Sequence, residues 1–248
     1  MERKELLKFA KIAATTYEDP KTSRDKFKAQ GYDIVEFFDI KDAEGYLLKS
    51  QDEYVLSFRG TSSASDAIAD LKARMRPESE GAKVHRGFKG ELDKLWPSIE
   101  KSLAGVDHLY VTGHSLGAAM TTIMANRCHC DNTMPDIAEV YTYGSPRVGN
   151  NSYVCTFPVI HHRWVNNNDI VCRVPLAIMG YKHDGTMHYL NTWGNVRNPT
   201  GLQMFKDRMR GMWRGLKQGK IDNFGDHSIT EYIKHLENYS QGKETERV

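Results

Sequence analysis

The chain has 248 residues, 40% of them hydrophobic, so it is long enough to bury the core of one large domain. Its formal net charge of +2 is too close to neutral to favour nucleic acid as a partner, and no aromatic-basic RNA-binding motif occurs. The opening segment alternates charged and apolar residues instead of forming a signal-peptide run, and no stretch approaches the ~20 apolar residues of a membrane span. These features predict a cytoplasmic protein, with secretion by another route left open.

Hydrophobic periodicity predicts alternating helices and strands along most of the chain. In chain order these are a helix at 6–14, strands at 32–40, 45–50 and 53–60, a helix at 87–103, a strand at 108–115, a helix at 116–130, strands at 137–150, 161–175 and 189–193, and helices at 201–217 and 226–239. Because strand and helix alternate in the middle of the chain, we expect an α/β fold with a mostly parallel central sheet flanked by helices. No linker or repeat divides residues 1–240, so one domain is expected, followed by a disordered tail at 241–248.

The cysteines give little reason to expect disulfides or a metal site. A chain of this size does not need disulfides, so free thiols are expected at all four positions, Cys128, Cys130, Cys155 and Cys172. The run CHCD at 128–131 lacks a second close pair of ligands at zinc-site spacing, and we therefore expect no bound metal.

The stretch LYVTGHSLGAAM, residues 109–120, places one serine between two glycines where a strand pattern becomes a helix pattern. A nucleophile on a strained strand-to-helix turn needs tiny residues two positions before and after it, and Gly113 and Gly117 meet that need. The helix start also supplies free N–H groups and a positive dipole end that favour developing negative charge. The pattern G-x-S-x-G alone is common by chance, but this context predicts that Ser115 is a nucleophile and not a structural turn residue.

A serine nucleophile needs a histidine as its base and a carboxylate that orients the histidine, in the chain order serine, acid, histidine. Asp169, in the loop after a β-like run, is the favoured acid, and His227, at the start of the last helix, is the favoured base. The candidates that fit less well are Asp131, Asp136 and Asp184 among the acids and His161, His162, His183, His188 and His235 among the histidines.

Two backbone N–H groups are expected to hold the oxyanion. One is that of Leu116, directly after the serine, and the other comes from the loop after an earlier strand, where Thr61 follows Arg59 and Gly60. The Thr61 hydroxyl is expected to help. On its own, this second pattern also fits a simple turn.

Six motifs, in this order, resemble the class 3 lipases, the fungal-lipase-like branch of the α/β-hydrolases: FRGTSS, KVHRGF, VTGHSLGAAM, YTYGSPRVGN, RWVNNNDIVCRVP and DHSITEYI. The resemblance covers residues 54–239. It implies an α/β-hydrolase fold and the cleavage of lipid acyl esters through an acyl-enzyme, without a metal or organic cofactor. It also implies Ser115 as nucleophile, Asp169 as acid and His227 as base, with Thr61 and Leu116 in the oxyanion hole.

Members of this family cover the site with a short lid helix after the oxyanion loop, and residues 62–76 fit that role. The apolar residues at helical spacing are Ala64, Ala67, Ile68, Leu71 and Met75. This face is narrow and rich in alanine, which argues against strong interfacial activation, and an ordinary surface helix is the alternative. The residues expected to touch substrate are Ser62, Ser63, Ile68 and Leu71 of the lid, and His114.

Residues 197–220 form a basic amphipathic insertion before His227, in which seven Lys and Arg and one Asp give a charge of +6. One helical face collects Leu202, Phe205, Met209, Met212, Trp213 and Leu216. Such a helix suits transient contact with an anionic membrane surface or lipid droplet through residues 201–217. The same pattern also suits a helix whose apolar face packs on the core, and this is the interpretation we favour.

The sequence therefore predicts a serine carboxylester hydrolase, a lipase or esterase acting on lipid or small acyl esters. Because lid and pocket select the substrate, phospholipase A-type and feruloyl-type esterases are the enzymatic alternatives. The non-enzymatic alternative is an inactive lipid-binding protein on the same scaffold.

Overall fold

The structure is a computed structural model that describes residues 3–51, 53–61, 74–154, 159–217 and 225–243, and of residues 3, 4 and 214–217 the backbone alone. Its helices are α1 (Arg3–Thr15), α2 (Pro20–Ala29), α3 (Arg86–Ser102), α4 (Leu116–His129), α5 (Asn151–Val154), α6 (Gly201–Lys217) and α7 (Ile229–Ser240). Its strands are β1 (Asp33–Ile40), β2 (Ala43–Lys49), β3 (Tyr54–Phe58), β4 (Met75–Pro77), β5 (Lys83–His85), β6 (His108–His114), β7 (Asp136–Tyr143), β8 (His161–Asn166), β9 (Thr186–Leu190) and β10 (Val196–Arg197). No helix in these ranges is long and apolar enough to cross a membrane.

Eight strands form one sheet in the order β1-β2-β3-β6-β7-β8-β9-β10. Strands β3, β6, β7, β8 and β9 are parallel, while β1 and β2 at one edge and β10 at the other are antiparallel to their neighbours. The predicted α/β architecture with a mostly parallel sheet is therefore confirmed. Because the strands are parallel, the carboxyl ends of β3, β6, β7 and β8 meet at one edge of the sheet, and this edge carries the site.

Neighbouring residues on the central strands point into two different cores. On β3, Leu56 belongs to the cluster under α3 and α4, whereas Val55 belongs to the cluster under α1 and α7. This follows from the alternation of side chains along a strand. Helices therefore cover both faces of the sheet, as the apolar character of its central strands requires.

The elements that were not predicted are α2, the β4–β5 hairpin, the short helix α5 and the short strand β10. Helix α2 has clear end signals, since Asp19 caps it by accepting hydrogen bonds from the N–H groups of Lys21 and Thr22, and Pro20 is its first residue. Its buried residues are only Ser23 and Phe27, so it shows little apolar periodicity.

Parts of the predicted lid, tail and insertion, and one of the four cysteines, lie outside the described residues. These parts are 62–73 of the lid, 244–248 of the tail, 218–220 of the insertion, and Cys155. Met75, which was counted in the lid helix, instead begins strand β4 and pairs with His85. Cys128, Cys130 and Cys172 are free thiols, as expected.

Helix α6 corrects the favoured interpretation of the basic insertion. Most of its described apolar side chains do not pack on the core: Phe205 and Trp213 are each 61% exposed, whereas Met204 packs against a small buried cluster. Among the residues of α6 that face the protein, Asp207 is 6% exposed and accepts hydrogen bonds from the Tyr189 hydroxyl at 2.9 Å and the Thr192 N–H at 3.1 Å. The interpretation was wrong because these tertiary partners, which periodicity does not report, satisfy the polar face and turn it inward.

Candidate active site

Ser115 lies on the turn between β6 and α4, with the backbone angles φ 59° and ψ −125°. This conformation is rare and strained for a residue other than glycine. The neighbouring glycines make the turn sterically feasible. A Cβ on Gly113 would lie 2.5 Å from the carbonyl oxygen of Gly117, and a Cβ on Gly117 would lie 2.2 Å from the carbonyl oxygen of Phe58. The two-residue spacing of the glycines is thus a packing requirement of this turn.

The structure brings together the three residues predicted to be the nucleophile, base and acid. The Ser115 Oγ lies 2.8 Å from Nε2 of His227, and Nδ1 of His227 lies 3.0 Å from both carboxylate oxygens of Asp169. With a proton on Nδ1, the imidazole donates to Asp169 and accepts the Ser115 O–H at Nε2. All three residues are buried, at 2%, 3% and 0% exposure for Ser115, His227 and Asp169. Ser115 and Asp169 meet because the loops after β6 and β8 leave the same edge of the sheet, and His227 reaches them from the turn just before α7.

The Asp169 carboxylate receives two further hydrogen bonds. The Tyr232 hydroxyl donates to Oδ2 at 2.7 Å, and the Val171 N–H donates to Oδ1 at 2.9 Å. Burial acts to raise the pKa of Asp169, but the charge of His227 and the hydrogen bonds from His227 and Tyr232 outweigh burial and lower the pKa below its usual value. Asp169 is therefore an anion at neutral pH, held against the imidazole. Sequence spacing did not single out Tyr232, although it lies on the predicted last helix.

His114 was predicted to touch substrate, but it lies beneath the site and is only 4% exposed. Its Nε2 is 2.7 Å from the carbonyl oxygen of His227, and its Nδ1 is 2.8 Å from the hydroxyl of Tyr17. Because a carbonyl only accepts, Nε2 carries the proton and Nδ1 accepts from Tyr17. Burial, with a smaller contribution from the charge of His227, lowers the pKa of His114 to about 3. A neutral imidazole thus ties the backbone of His227 to the nucleophile turn.

Gly144, at the end of β7, allows Asp169 and His227 to approach each other. Its φ is +60°, and a Cβ at this position would lie 2.9 Å from both Asp169 Oδ2 and the imidazole carbon Cε1 of His227. The motif YTYGSP marked a strand end in the sequence, but nothing in its spacing indicated this contact.

The loop after β3 reaches the nucleophile turn on its other side. A Cβ on Gly60 would lie 3.1 Å from the Cβ of Ser115, so this loop packs directly against the turn. An ion pair with β2 holds this loop in place, because Nη1 of Arg59 lies 2.6 and 2.7 Å from the two carboxylate oxygens of Glu44. Thr61, which follows Gly60, is half-buried. Leu116 is the first residue of α4, where N–H groups have no acceptor within the helix.

The remaining predicted substrate contacts, Ser62, Ser63, Ile68 and Leu71, lie outside the described residues. The alternative histidines have other partners. His161 pairs with Asp184 at 2.7 Å, and Nε2 of His183 lies 2.8 Å from the carbonyl oxygen of Cys172. His162 and His188 contact each other, with their ring nitrogens 3.1 Å apart. None of these contacts involves Ser115.

Comparisons with known proteins all indicate the same family. Residues 55–179 match the family described as lipase (class 3). The chain is 31% identical over 212 residues to a lipase of Rhizopus niveus, covering 76% of this chain and 54% of that protein. It is 29% identical over 150 residues to a secreted mono- and diacylglycerol lipase of Fusarium solani, covering 56% of this chain and 44% of that protein. The chain therefore spans about half the length of these relatives.

The fold is likewise that of solved lipases. A triacylglycerol lipase whose catalytic centre is a serine-protease triad superimposes with a TM-score of 0.68 at 26% identity, covering 75% of this chain and 79% of that one. The expected α/β-hydrolase fold is confirmed by this likeness.

The expected cytoplasmic location is contradicted by the relatives, which include a secreted lipase and point to an extracellular location. The sequence argument failed because the opening segment is part of the folded domain. It forms α1, whose Phe9 and Ile12 are fully buried. Its alternation of charged and apolar residues reflects packing on the sheet and carries no information on location.

Proposed function

The chain belongs to the class 3 lipase family, and we propose that it is a serine carboxylester hydrolase that cleaves the acyl esters of lipids. The observation that carries the proposal is the buried chain of contacts from the Ser115 Oγ through His227 to Asp169, at 2.8 and 3.0 Å. The names of its relatives, a mono- and diacylglycerol lipase and a triacylglycerol lipase, favour acylglycerols as the substrate class. Such substrates are poorly soluble, so the enzyme meets them at a membrane or droplet surface.

In the proposed mechanism, Nε2 of His227 takes the proton of Ser115 as Oγ attacks the acyl carbon. The Asp169 carboxylate stabilises the imidazolium that forms. The backbone N–H groups of Leu116 and Thr61 hold the oxyanion, and each contributes about 3 kcal/mol to transition-state stabilisation. His227 then gives its proton to the leaving alcohol oxygen, which leaves an acyl-Ser115 ester. A water molecule, deprotonated by the same imidazole, hydrolyses this ester and regenerates the serine.

We also propose that residues 1–240 work as a single domain. Supporting this, the first and last helices lie side by side, where Lys11 of α1 and Glu237 of α7 form an ion pair at 2.9 Å. The two helices share one core, in which Phe9 and Tyr232 are buried. Residues 62–74, the part of the predicted lid that precedes β4, remain the proposed lid.

The test is turnover of a soluble p-nitrophenyl ester by Ser115→Ala. Because the variant lacks the nucleophile, kcat is expected to fall by at least ~10³-fold. Ser98→Ala, the same substitution at a half-buried serine of α3, should keep wild-type turnover. A fluorophosphonate probe should label the wild type and the Ser98 variant but not the Ser115 variant. Wild-type turnover in Ser115→Ala would reject the proposed nucleophile.

Substrate class is tested separately with a panel of mono-, di- and triacylglycerols, phosphatidylcholine and methyl ferulate. Preferred hydrolysis of acylglycerols supports the proposed class. Preferred hydrolysis of phosphatidylcholine or methyl ferulate would contradict it in favour of a phospholipase or a feruloyl-type esterase.

A further inference from the structure

Helix α6 packs on the protein through its polar face. In addition to the buried Asp207, its Gly211 lies against the acid loop, where a Cβ would be 2.4 and 2.6 Å from the amide nitrogens of Asn167 and Asn168. Nε of Arg208 donates to the carbonyl oxygen of Asn167 at 3.3 Å, and the Asn168 side chain donates to the carbonyl oxygen of Arg208 at 3.1 Å. These asparagines directly precede Asp169, so α6 is fixed at the active-site edge of the sheet.

The opposite face of α6 is apolar and exposed to solvent. Its side chains recur at steps of three and four residues, and their exposed fractions are 65% for Leu202, 61% for Phe205, 37% for Met209, 52% for Met212 and 61% for Trp213. An amphipathic helix of a soluble domain ordinarily turns such a stripe toward the core. A contiguous exposed apolar stripe marks a binding surface.

Positive charge is concentrated in the same segment. Residues 197–220 carry +6, which leaves −4 for the rest of the chain. Lys206 and Arg210 of α6 are exposed, next to the apolar stripe. The surface therefore combines insertable aliphatic and aromatic side chains with cations, which complements a lipid surface bearing negative head groups. A second copy of this chain docked through the same helix would bring like charge against like charge.

We propose that α6 is a docking helix that lies flat on an anionic lipid surface. Leu202, Phe205 and Trp213 enter the boundary between head groups and acyl chains, while Lys206 and Arg210 contact the lipid phosphates. This inference rests on the proposed function, since it gives the lipid hydrolase a way to hold the active-site edge against its aggregated substrate.

The test is flotation of the full chain with vesicles of ether-linked phosphatidylglycerol and phosphatidylcholine in equal parts, compared with ether-linked phosphatidylcholine alone, at about 0.1 M salt. The ether links remove hydrolysis from the measurement. The wild type is expected to partition at least ~10-fold more strongly onto the anionic vesicles. Phe205→Gln with Trp213→Gln should lower partitioning onto them by ~10-fold or more, because the apolar insertion is lost. Lys206→Gln with Arg210→Gln should lower it by a similar factor, and only on the anionic vesicles.

Matched controls carry the same changes elsewhere on the surface. Val35→Gln with Ile160→Gln alters apolar side chains that are 46% and 57% exposed, and Arg24→Gln with Lys28→Gln removes two exposed cations of α2. Both should partition like the wild type. All four double variants should turn over a soluble p-nitrophenyl ester at the wild-type rate, which shows that they are folded.

Equal partitioning of the wild type and the α6 variants would overturn the proposal, as would failure of the wild type to bind anionic vesicles. Sedimentation showing a wild-type dimer that the Phe205 and Trp213 changes dissociate, with no vesicle binding, would assign this face to a second copy. Vesicle binding without ester turnover would reject the proposed function and leave the docking helix standing. Ester turnover without vesicle binding would overturn the docking helix and leave the proposed function standing.

Discussion

At the scale of single residues, the site depends on buried polar side chains, each of which has several hydrogen-bond partners. His227 is held at three points: its two ring nitrogens contact Ser115 and Asp169, and its backbone carbonyl accepts from His114. Buried polar groups without partners are costly, and a network with all partners present fixes one geometry. The hydrogen bonds from Tyr17 to His114 and from His114 to the carbonyl oxygen of His227 thus fix the position of the His227 imidazole. They also stabilise the fold.

His114 makes the stability of the protein depend on pH. The pKa of His114 is lowered to about 3 in the folded state, while an unfolded histidine titrates near 6.5. Between these values the unfolded chain binds more protons, so the free energy of unfolding falls as pH drops from about 6.5 toward 3. In His114→Gln, the loss of unfolding free energy between pH 7 and pH 5 should be smaller than in the wild type by about 2 kcal/mol, as measured by urea unfolding.

Gly90→Ala in α3 removes no titratable group and serves as the control, so it should show the wild-type dependence of stability on pH. A His114→Gln protein with the wild-type dependence on pH would show that His114 titrates normally in the folded state.

At the scale of elements, the strand-turn-helix unit of β6 and α4 presents the nucleophile. Residues of α4 are buried on almost every side, which explains its small and apolar sequence. The helix starts so close to β3 that Gly117 touches the backbone of Phe58. The register pairs Phe58 with Gly113, so the end of β3 and the nucleophile turn form one unit.

Replacing Gly117 tests this close packing. The added Cβ of Gly117→Ala would fall 2.2 Å from the carbonyl oxygen of Phe58, a backbone atom that has no room to give way. The free energy of unfolding should fall by about 3 kcal/mol or more in urea titrations, and ester turnover should be lost as α4 shifts. In α3, a Cβ on Gly90 meets nothing within 4 Å, so Gly90→Ala should be neutral or stabilising by about 0.5–1 kcal/mol. Equal stability of the two variants would contradict the close approach of α4 and β3.

At the scale of the whole molecule, one sheet separates two cores, and the first helix belongs to one of them. Phe9 of α1 stacks on Tyr141 of β7 with ring centroids 4.1 Å apart and is fully buried. Tyr17, just after α1, reaches His114. The opening segment therefore contributes to both the core and the support of the active site.

Truncating Phe9 measures this contribution. Phe9→Ala should lower the free energy of unfolding by about 3–5 kcal/mol, because it removes an aromatic ring from a filled core. The same substitution at Phe205, which is 61% exposed on α6, should change stability by less than about 0.5 kcal/mol. Urea unfolding of the two variants in parallel provides the measurement. A loss at Phe9 no larger than that at Phe205 would mean that α1 does not belong to the cooperative core.

Local signals in the sequence were sufficient to predict the alternation of helices and strands, and they favoured Ser115, Asp169 and His227, which the structure brings within hydrogen-bond distance of one another. Glycine spacing, turn residues and periodicity act through the sterics of a few neighbouring residues, and such sterics can be read from the order of residues. A structure was needed for contacts between distant segments. Gly144 accommodates a carboxylate and an imidazole from two other loops, and Tyr17 reaches a histidine 97 positions away.

Helix α6 shows this division most clearly. Its periodicity predicted an amphipathic helix at 201–217, and the helix is there. Periodicity does not predict, however, which face of a helix turns toward the protein, because it describes only which residues share a face. Asp207 finds Tyr189 and Thr192 on the folded protein, and these partners decide that the polar face turns inward. The sequence determined the helix, and tertiary structure alone decided which side of it meets solvent.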